Sequence, residues 1–146
     1  YFDNNLNNPA KGKDVGRLGN FYFDHIIIFN GKIVDGYWIP VFMPLFNKLE
    51  IGLSRVNRLK VNLYPWTPRR IHHACHIDYP PDAPLSTALY YINSNNGFTK
   101  FDHTFKSIKS RRNRVILFNG SHPHHSTTPT DANYRCSVNI DYLREY

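Results

Sequence analysis

The chain has 146 residues, enough for one domain with a buried core, and it lacks the run of about 18 apolar residues that predicts a membrane-spanning helix. Its 10 Tyr, 10 Phe, 10 Pro and 8 Gly favour short strands joined by turns, and its two cysteines exclude a framework of several disulfides. The net charge of +7, with histidines counted neutral, permits an anionic partner such as nucleic acid, or charge that is merely solvated.

Residues 1–57 predict an N-terminal region that supports a β core. Residues 1–20 are polar without a sustained period and predict a loop or an edge segment; because the chain begins with Tyr rather than Met, we expect further residues to precede it. Residues 21–29 and 32–39 are apolar, β-rich runs around Asn30-Gly31, a type I′ turn signal, and they predict a β-hairpin. Residues 40–50 predict a short helix that begins near Pro44, with a buried side formed by Leu45, Phe46 and Leu49.

Two later strands alternate polar and apolar side chains. Over residues 58–64 and 135–141 every second residue is apolar, so each predicted strand has one apolar and one polar face. A sheet with one face in water would show this pattern, and so would a polar ligand pocket. The polar faces carry Arg58, Lys60, Asn62 and Tyr64 in the first strand and Arg135, Ser137, Asn139 and Asp141 in the second.

The remaining β-rich runs complete the predicted architecture. Together with runs at residues 86–93, 98–101, 114–118 and 134–142, the chain holds about eight short strands, which predict an all-β sandwich or jelly roll. Residues 106–114, which are rich in Lys and Arg, predict a surface connection between two of these strands.

A His-x-Asp pair, His76 and Asp78, carries the chemistry. Residues two apart on a strand point to the same face, so an imidazole nitrogen and a carboxylate oxygen lie side by side. A third ligand from residues 118–126, where His122, His124 and His125 are available, would complete the 2-His-1-carboxylate set of non-haem Fe(II) oxygenases, which leaves coordination positions open. A zinc site of Cys75, His76, His122 and Cys136 is disfavoured because the first two are adjacent and point to opposite faces.

Together with Arg135, eleven residues after His124, these motifs resemble the Fe(II)/2-oxoglutarate-dependent dioxygenases. The resemblance is to the prolyl 4-hydroxylase-like branch, including small forms from phages and marine microbes, and it covers about residues 58–142. It implies a double-stranded β-helix, or jelly roll, with a few short helices packed on one sheet. It also implies a single oxygenase domain over residues 1–146, with a catalytic β core at residues 58–146.

The resemblance also implies a role for each residue of the site. His76, Asp78 and His124 would bind Fe(II), and Arg135 would pair with the distal carboxylate of 2-oxoglutarate, with ascorbate in support. Tyr64, Tyr91 and Thr99 would line the 2-oxoglutarate pocket, with Asn62 and Ser137 beside them. His72, on the predicted face of His76, would either support the metal ligands from behind or form pocket wall on the substrate side. The substrate mouth would be formed by His122, His125, Trp66, Arg69 and Arg70.

The activity implied is hydroxylation of an unactivated C–H bond. The leading expectation for the substrate is a peptidyl residue of the prolyl type. A free amino acid, another protein side chain or nucleic acid are the alternatives for the substrate. The implied location is the cytoplasm, of a host cell if the protein is viral, without a membrane partner. A different class is the alternative: a non-catalytic jelly-roll structural or binding protein, for example of a virus, with a vestigial metal site.

Overall fold

The computed structural model describes residues 21–144, which contain nine strands and one α-helix. The predicted loop or edge segment at residues 1–20 lies outside this range. Within it, 3-10 turns at Gly36–Trp38 and Leu53–Arg55 flank the helix. The elements are β1 (Phe23–Phe29), β2 (Lys32–Ile33), α1 (Ile39–Leu49), β3 (Val56–Pro65), β4 (Leu85–Tyr91), β5 (Phe98–Phe101), β6 (Lys106–Lys109), β7 (Arg114–Phe118), β8 (His124–Ser126) and β9 (Tyr134–Leu143).

The strands form two antiparallel sheets. The large sheet has the order β2-β1-β3-β9-β4-β7 and the small sheet the order β6-β5-β8. Isolated pairs at His72 with Thr127 and at His76 with His124 attach residues 72–76 to the free side of β8. The predicted fold class, a mostly β jelly roll, is confirmed. No helix among residues 21–144 has the length and apolar character needed to cross a membrane.

The hydrophobic core lies between the large sheet and α1. Leu59 of β3 and Val138 and Ile140 of β9 are fully buried there, beside Ile39 and Phe46 of α1. These strand residues belong to the apolar faces that the sequence alternation predicted. The polar faces of the same strands therefore point to the other side of the sheet, toward the small sheet and the interior of the jelly roll.

The N-terminal elements match the prediction in kind but differ in extent. Asn30 and Gly31 both have positive φ, 50° and 70°, so the predicted type I′ hairpin is confirmed. Its second strand has two residues instead of eight, because the chain turns into a 3-10 turn at Gly36. The helix begins at Ile39, five residues before the predicted start, since Pro40 occupies the first turn, where a missing N–H costs nothing. Its predicted buried side is confirmed: Phe46 is buried, and Leu45 and Leu49 pack against the core.

Two strands were not predicted. Residues 106–109 form β6 rather than a surface connection, and Asn113, with φ of 62°, makes the turn from there into β7. The histidine-rich residues 124–126 form β8. Both strands are short and have polar sequences, so they lack the apolar alternation that marks a longer strand.

Candidate functional site

His76, Asp78 and His124 come together between the two sheets, each with one ligand atom within 4.8 Å of the others. Backbone hydrogen bonds of 3.0 Å in both directions join His124 on β8 to His76 on the neighbouring segment. Two residues further along, the Asp78 N–H donates to the Gly120 carbonyl at 2.8 Å. The only group of three potential metal ligands within residues 21–144 is therefore built on two chain segments that are bonded to each other.

The hydrogen bonds of the two imidazoles determine which ring nitrogen is free. His124 Nδ1 lies 2.8 Å from the His122 carbonyl oxygen, and His76 Nδ1 lies 3.2 Å from that of Ala74. Because a carbonyl oxygen only accepts, each Nδ1 carries a proton, and Nε2 is the ring nitrogen turned toward Asp78. Metal-ligating histidines are oriented in this way by partners of the distal ring nitrogen. His124 Nε2 lies 3.4 Å from Asp78 Oδ2, and His76 Nε2 lies 4.0 Å from Asp78 Oδ1.

Two residues of the large sheet hold the Asp78 carboxylate. Arg58 Nη2 donates to Oδ1 at 2.5 Å, and Asn139 Nδ2 lies 3.4 Å from both carboxylate oxygens. Arg58 also forms an ion pair with Asp141, with Nε and Oδ2 2.7 Å apart. Asp141 in turn accepts a hydrogen bond from Thr87 Oγ1 at 2.7 Å. Asp78 is therefore held by a buried network that reaches β3, β4 and β9.

The charges in this network shift the pKa values of its acids in opposite directions. Burial raises the pKa of Asp78, but the hydrogen bond from His124 and the charge of Arg58 outweigh burial and hold that pKa below its ordinary value. Burial raises the pKa of Asp141 to about 6, against the opposing charge of Arg58. Burial lowers the pKa of His124, but the hydrogen bond and charge of Asp78 more than reverse this. Asp78 therefore stays ionised at neutral pH, as a metal ligand must be.

Arg135 is fully buried at the other end of the interior. Its Nε donates to Ser110 Oγ at 2.7 Å and its Nη2 to Thr99 Oγ1 at 2.9 Å. The guanidinium carbon lies 4.9 Å from the ring centre of Tyr64 and 5.4 Å from that of Tyr91. Its Nη1 has no hydrogen-bond partner, and no carboxylate among residues 21–144 pairs with it. A buried guanidinium in this state is costly, so the position favours an anionic ligand.

Other buried polar atoms around Arg135 and Asp78 also lack partners. They include an acceptor on each of two amides and a ring nitrogen of a third side chain: Asn62 Oδ1, Asn139 Oδ1 and His73 Nε2. The two tyrosine hydroxyls are used locally, Tyr64 donating to Ser126 at 3.1 Å and Tyr91 to Thr99 at 2.9 Å. Native proteins leave few such atoms unsatisfied, so the interior between Asp78 and Arg135 fits a polar ligand or water. Amide oxygens only accept, so the preference for negative charge comes from Arg135 alone.

The prediction that His72 shares a strand face with His76 is wrong, and this changes the positions of His72 and His73. His72 and His76 pair with Thr127 and His124, so four residue steps on one strand face three on the other. The extra residue reverses the side-chain alternation between the two pairs. His76 therefore faces the interior, whereas His72 lies on the outer face of the small sheet. The extra residue is His73, whose ring packs against that of Tyr64 with ring centres 5.1 Å apart.

Two predicted substrate residues lie on that outer face. His72 Nδ1 is 3.0 Å from His125 Nε2, and His125 Nδ1 is 2.9 Å from Asp102 Oδ2. His125 points away from the interior because it follows His124 on β8 and alternates with it. The prediction that His72 forms pocket wall is therefore wrong, and His125 does not point toward the interior.

The other predicted substrate residues lie at two places. His122 is exposed beside His124, and its ring contacts that of His103 at a tilt of 56°, with ring centres 4.4 Å apart. Trp66, Arg69 and Arg70 are exposed at the Arg135 end, where Trp66 Nε1 donates to the Thr130 carbonyl and Arg70 to that of Asn96. Of the predicted residues around Arg135, Tyr64, Tyr91, Thr99, Asn62 and Ser137 are all buried.

Three residues of the site were missed from the sequence: Arg58, Asp141 and His73. The first two lie on the predicted polar faces, and the register of β3 with β9 pairs them directly. The opposite charges on the two polar faces were therefore visible in the sequence. The strand register that brings Arg58 and Asp141 together was not. The two cysteines are free thiols, Cys75 exposed and Cys136 buried, and neither belongs to the metal-ligand group.

Comparison with known proteins places the fold. No family model matches the chain, and no curated protein matches it in sequence. Among solved structures, a 2OG-Fe(II) oxygenase family oxidoreductase from Burkholderia pseudomallei is similar, with 14% identity and a TM-score of 0.61 over 86% of this chain and 67% of that chain. A prolyl hydroxylase from Trichoplax adhaerens, solved with a hypoxia inducible factor peptide fragment, has 19% identity and a TM-score of 0.54 over 87% and 66%. A Pseudomonas putida prolyl-4-hydroxylase has 15% identity and a TM-score of 0.51 over 85% and 70%.

At these identities the likeness shows a shared fold, and this chain spans about two thirds of the length of the first two structures. The chain therefore has the jelly-roll fold found in 2OG-Fe(II) oxygenases, and within that fold a His-Asp-His group that could hold a metal ion. Nitrogen and carboxylate donors in this ratio suit Fe(II), with coordination positions left open.

Proposed function

We propose that the protein is an Fe(II)/2-oxoglutarate-dependent dioxygenase of the prolyl hydroxylase-like branch, acting on a peptide. One observation carries the proposal: Arg135, a fully buried arginine with an unpaired Nη1, shares the interior with His76, Asp78 and His124. A non-catalytic jelly roll would have no use for an uncompensated buried guanidinium. A dicarboxylate that reaches from the metal to Arg135 removes its cost.

The residues divide the work of binding. His76, Asp78 and His124 would hold the iron, and Arg135 would pair with the distal carboxylate through its free Nη1, where a planar fork suits a carboxylate. Burial raises the pKa of both Tyr64 and Tyr91, despite the charge of Arg135, so both phenols stay protonated and can donate. When bound, the iron supplies the O₂-dependent oxidative decarboxylation of 2-oxoglutarate that is coupled to hydroxylation of the substrate.

Formal charge supports this assignment. Fe(II) at +2, Asp78 at −1, 2-oxoglutarate at −2 and Arg135 at +1 sum to zero, and Arg58 with Asp141 forms a second pair without net charge. A buried site prefers charges that are compensated. The peptide class of the substrate is supported by the likeness to the Trichoplax adhaerens enzyme, which was solved with a peptide.

The test is Fe(II)-dependent succinate formation from 2-oxoglutarate, measured with and without proline-containing peptides. We expect turnover in the wild type, loss in His124→Ala and in Arg135→Ala, and retention in His125→Ala, the matched control on the outer face. A protein that neither binds a divalent metal nor 2-oxoglutarate would be a non-catalytic jelly roll. Turnover stimulated by free amino acids or oligonucleotides, and not by peptides, would keep the reaction and replace the substrate class.

A further inference from the structure

Arg58 is placed between two carboxylates on the wall of the metal-ligand group. Its Nη2 contacts Asp78 Oδ1 and its Nε contacts Asp141 Oδ2, at 2.5 and 2.7 Å. Both carboxylate side chains are 3% exposed, so water screens neither contact much. One guanidinium thus joins the predicted metal ligand to an acid that is not predicted to be a ligand.

The geometry leaves one oxygen of Asp78 for a metal ion. Arg58 donates to Oδ1, which lies 4.0 Å from His76 Nε2. Oδ2 lies 3.4 Å from His124 Nε2, and its other contact is the long one of 3.4 Å to Asn139 Nδ2. A carboxylate held in this way would bind an ion through one oxygen, which would preserve the open positions that an oxygenase needs. Asp141 is itself fixed by the buried Thr87 hydroxyl at 2.7 Å, so Arg58 has a rigid support.

The position of Arg58 also has a cost. A full positive charge in contact with a metal ligand repels a divalent cation in a poorly screened interior. The negative charge of Asp141 compensates the positive charge of Arg58, because the two residues are paired across β3 and β9.

We propose that Arg58 and Asp141 act together as a positioning pair for Asp78. Arg58 makes the carboxylate a one-oxygen ligand, and Asp141 cancels the repulsion that Arg58 would otherwise exert on the metal. This inference rests on the proposed function, since it assumes that the His-Asp-His group binds a metal.

A double-mutant cycle on Mn(II) affinity tests the pair without using activity. Asp141→Asn leaves Arg58 uncompensated, and we expect Mn(II) binding to weaken by about 10- to 100-fold, as for other outer partners of metal ligands. Arg58→Gln should change the absorption spectrum of the Co(II) form, because Asp78 is free to bind through both oxygens. The double variant Arg58→Gln/Asp141→Asn should bind Mn(II) more tightly than Asp141→Asn alone, because the uncompensated charge is gone.

A double variant that binds Mn(II) no more tightly than Asp141→Asn, or an Asp141→Asn variant within twofold of the wild type, would overturn the pairing. Thr87→Val provides a variant that keeps every charge, and we expect a smaller loss of Mn(II) affinity from it. Thermal unfolding of the metal-free variants separates positioning from folding: a merely structural pair would lower stability and leave the Co(II) spectrum unchanged. A wild type that binds no Mn(II), or a His124→Ala variant that binds it normally, would refute the proposed function itself.

A second inference comes from a groove at the Arg135 end of the protein and does not depend on the proposed function. The groove has a volume of about 790 Å³ and runs beside β6 and the loops that flank it. Arg70 Nη2 donates to the Asn96 carbonyl at one rim, and the Arg112 N–H donates to Ser94 Oγ at another. Hydroxyl, amide and basic side chains dominate the lining, which comprises Ser94, Asn95, Asn96, Ser107, Ile108, Lys109, Ser110, Arg111, Arg114 and Asp131.

The basic residues of the groove are not neutralised. Within residues 21–144, no carboxylate forms an ion pair with the lining cations Lys109, Arg111 and Arg114, or with the rim cations Arg70 and Arg112. The single lining carboxylate, Asp131, accepts the Asn96 N–H at 2.8 Å. Five cations against one carboxylate leave +4, more than half of the +7 of the whole chain.

We infer that the groove binds the sugar-phosphate backbone of a nucleic acid. Arginine forks, hydroxyls and amides are the groups that contact phosphate and sugar. The lining has one apolar side chain, Ile108, so it lacks the apolar anchors on which protein partners depend. It also has no aromatic ring for a base to stack on, so contacts to phosphate and sugar would dominate, and these carry no sequence information.

Fluorescence anisotropy with a labelled 20-mer of single-stranded DNA, at several salt concentrations, tests this inference. Replacing Lys109, Arg111 and Arg114 by Gln should weaken binding and lower the slope of log K against log salt by about 2, at about 0.7 per phosphate contact. The control replaces Lys32, Lys48 and Arg144, exposed cations outside the groove, and should leave the slope near that of the wild type. Equal losses in both triple variants, or equally tight binding of poly-glutamate, would overturn it; a duplex and an RNA strand identify the preferred form.

Discussion

At the scale of single residues, Arg135 decides whether the interior takes a dicarboxylate. Its Nε and Nη2 are used by Ser110 and Thr99, and its Nη1 is the atom left for a ligand. Losing a buried charge-assisted pair costs about 2–5 kcal/mol, or roughly 30- to 5,000-fold in affinity. We therefore expect Arg135→Ala to weaken 2-oxoglutarate binding by that factor, with Arg135→Lys between it and the wild type because an ammonium keeps the charge without the fork.

Calorimetric titration of the Mn(II)-loaded protein with 2-oxoglutarate measures this effect. Mn(II) affinity itself serves as the control and should stay nearly unchanged, because no contact joins Arg135 to the three metal-ligand candidates. Unchanged 2-oxoglutarate affinity in Arg135→Ala would revive the non-catalytic alternative.

The three neighbouring histidines differ in direction, and a second prediction separates them. His124 faces Asp78, His122 is exposed against His103, and His125 bonds to Asp102 on the outer face. We expect His124→Ala to abolish tight Mn(II) binding and His122→Ala and His125→Ala to retain it. Electron paramagnetic resonance of free Mn(II) measures the bound fraction, and loss of binding in His122→Ala would contradict the proposed ligand set.

At the scale of elements, the turn between β7 and β8 supports the metal-ligand group through Gly120. A Cβ at this position would lie 2.9 Å from Tyr79 Cε1 and 3.1 Å from Asp78 Cβ, and closer still to Thr87 Oγ1. These neighbours are tightly packed, and overpacking typically costs about 1–3 kcal/mol. We expect Gly120→Ala to lower the free energy of unfolding by that amount and to weaken Mn(II) binding, because Asp78 must move.

Gly52→Ala is the matched control. A Cβ there would approach only Ser54 and Arg55, at 3.8 and 3.9 Å, and its extended backbone accepts alanine. Urea unfolding of both variants decides the question. Equal stability of the two variants would mean that the packing around Gly120 yields without strain.

How far the sequence predicted these elements depends on their length and pattern. The long strands β3 and β9 were predicted because alternation over seven residues defines both faces. Residues 72–76 were misplaced because a strict alternation was assumed, and the one-residue bulge that puts His73 inside and His72 outside has no local signal. The partner of Arg58 was missed for a related reason: its contact with Asp141 depends on the register of two strands about 80 residues apart.

At the scale of the whole molecule, the two sheets bury a polar interior in which one histidine, His73, makes the stability of the fold depend on pH. Burial and the charge of Arg135 lower the pKa of His73 to about 4. Its Nε2 has no hydrogen-bond partner, so nothing stabilises a proton on this nitrogen in the folded protein. The ordinary pKa of histidine is about 6.5, and the unfolded chain therefore binds a proton to His73 at higher pH than the folded chain does.

The last prediction follows from this difference. Between pH 6.5 and pH 4 the unfolded state holds more protons than the folded state, so stability falls as pH falls through that window. From pH 7 to pH 5 the His73 contribution amounts to about 2 kcal/mol, at about 1.4 kcal/mol per pKa unit. His73→Phe keeps an aromatic ring beside Tyr64 but cannot take a proton, so it should remove about this much of the pH dependence. Urea unfolding at pH 7 and pH 5 measures it, with His103→Gln, an exposed histidine, as the control. The same loss of stability between the two pH values in His73→Phe and in the wild type would show that another group, and not His73, carries the effect.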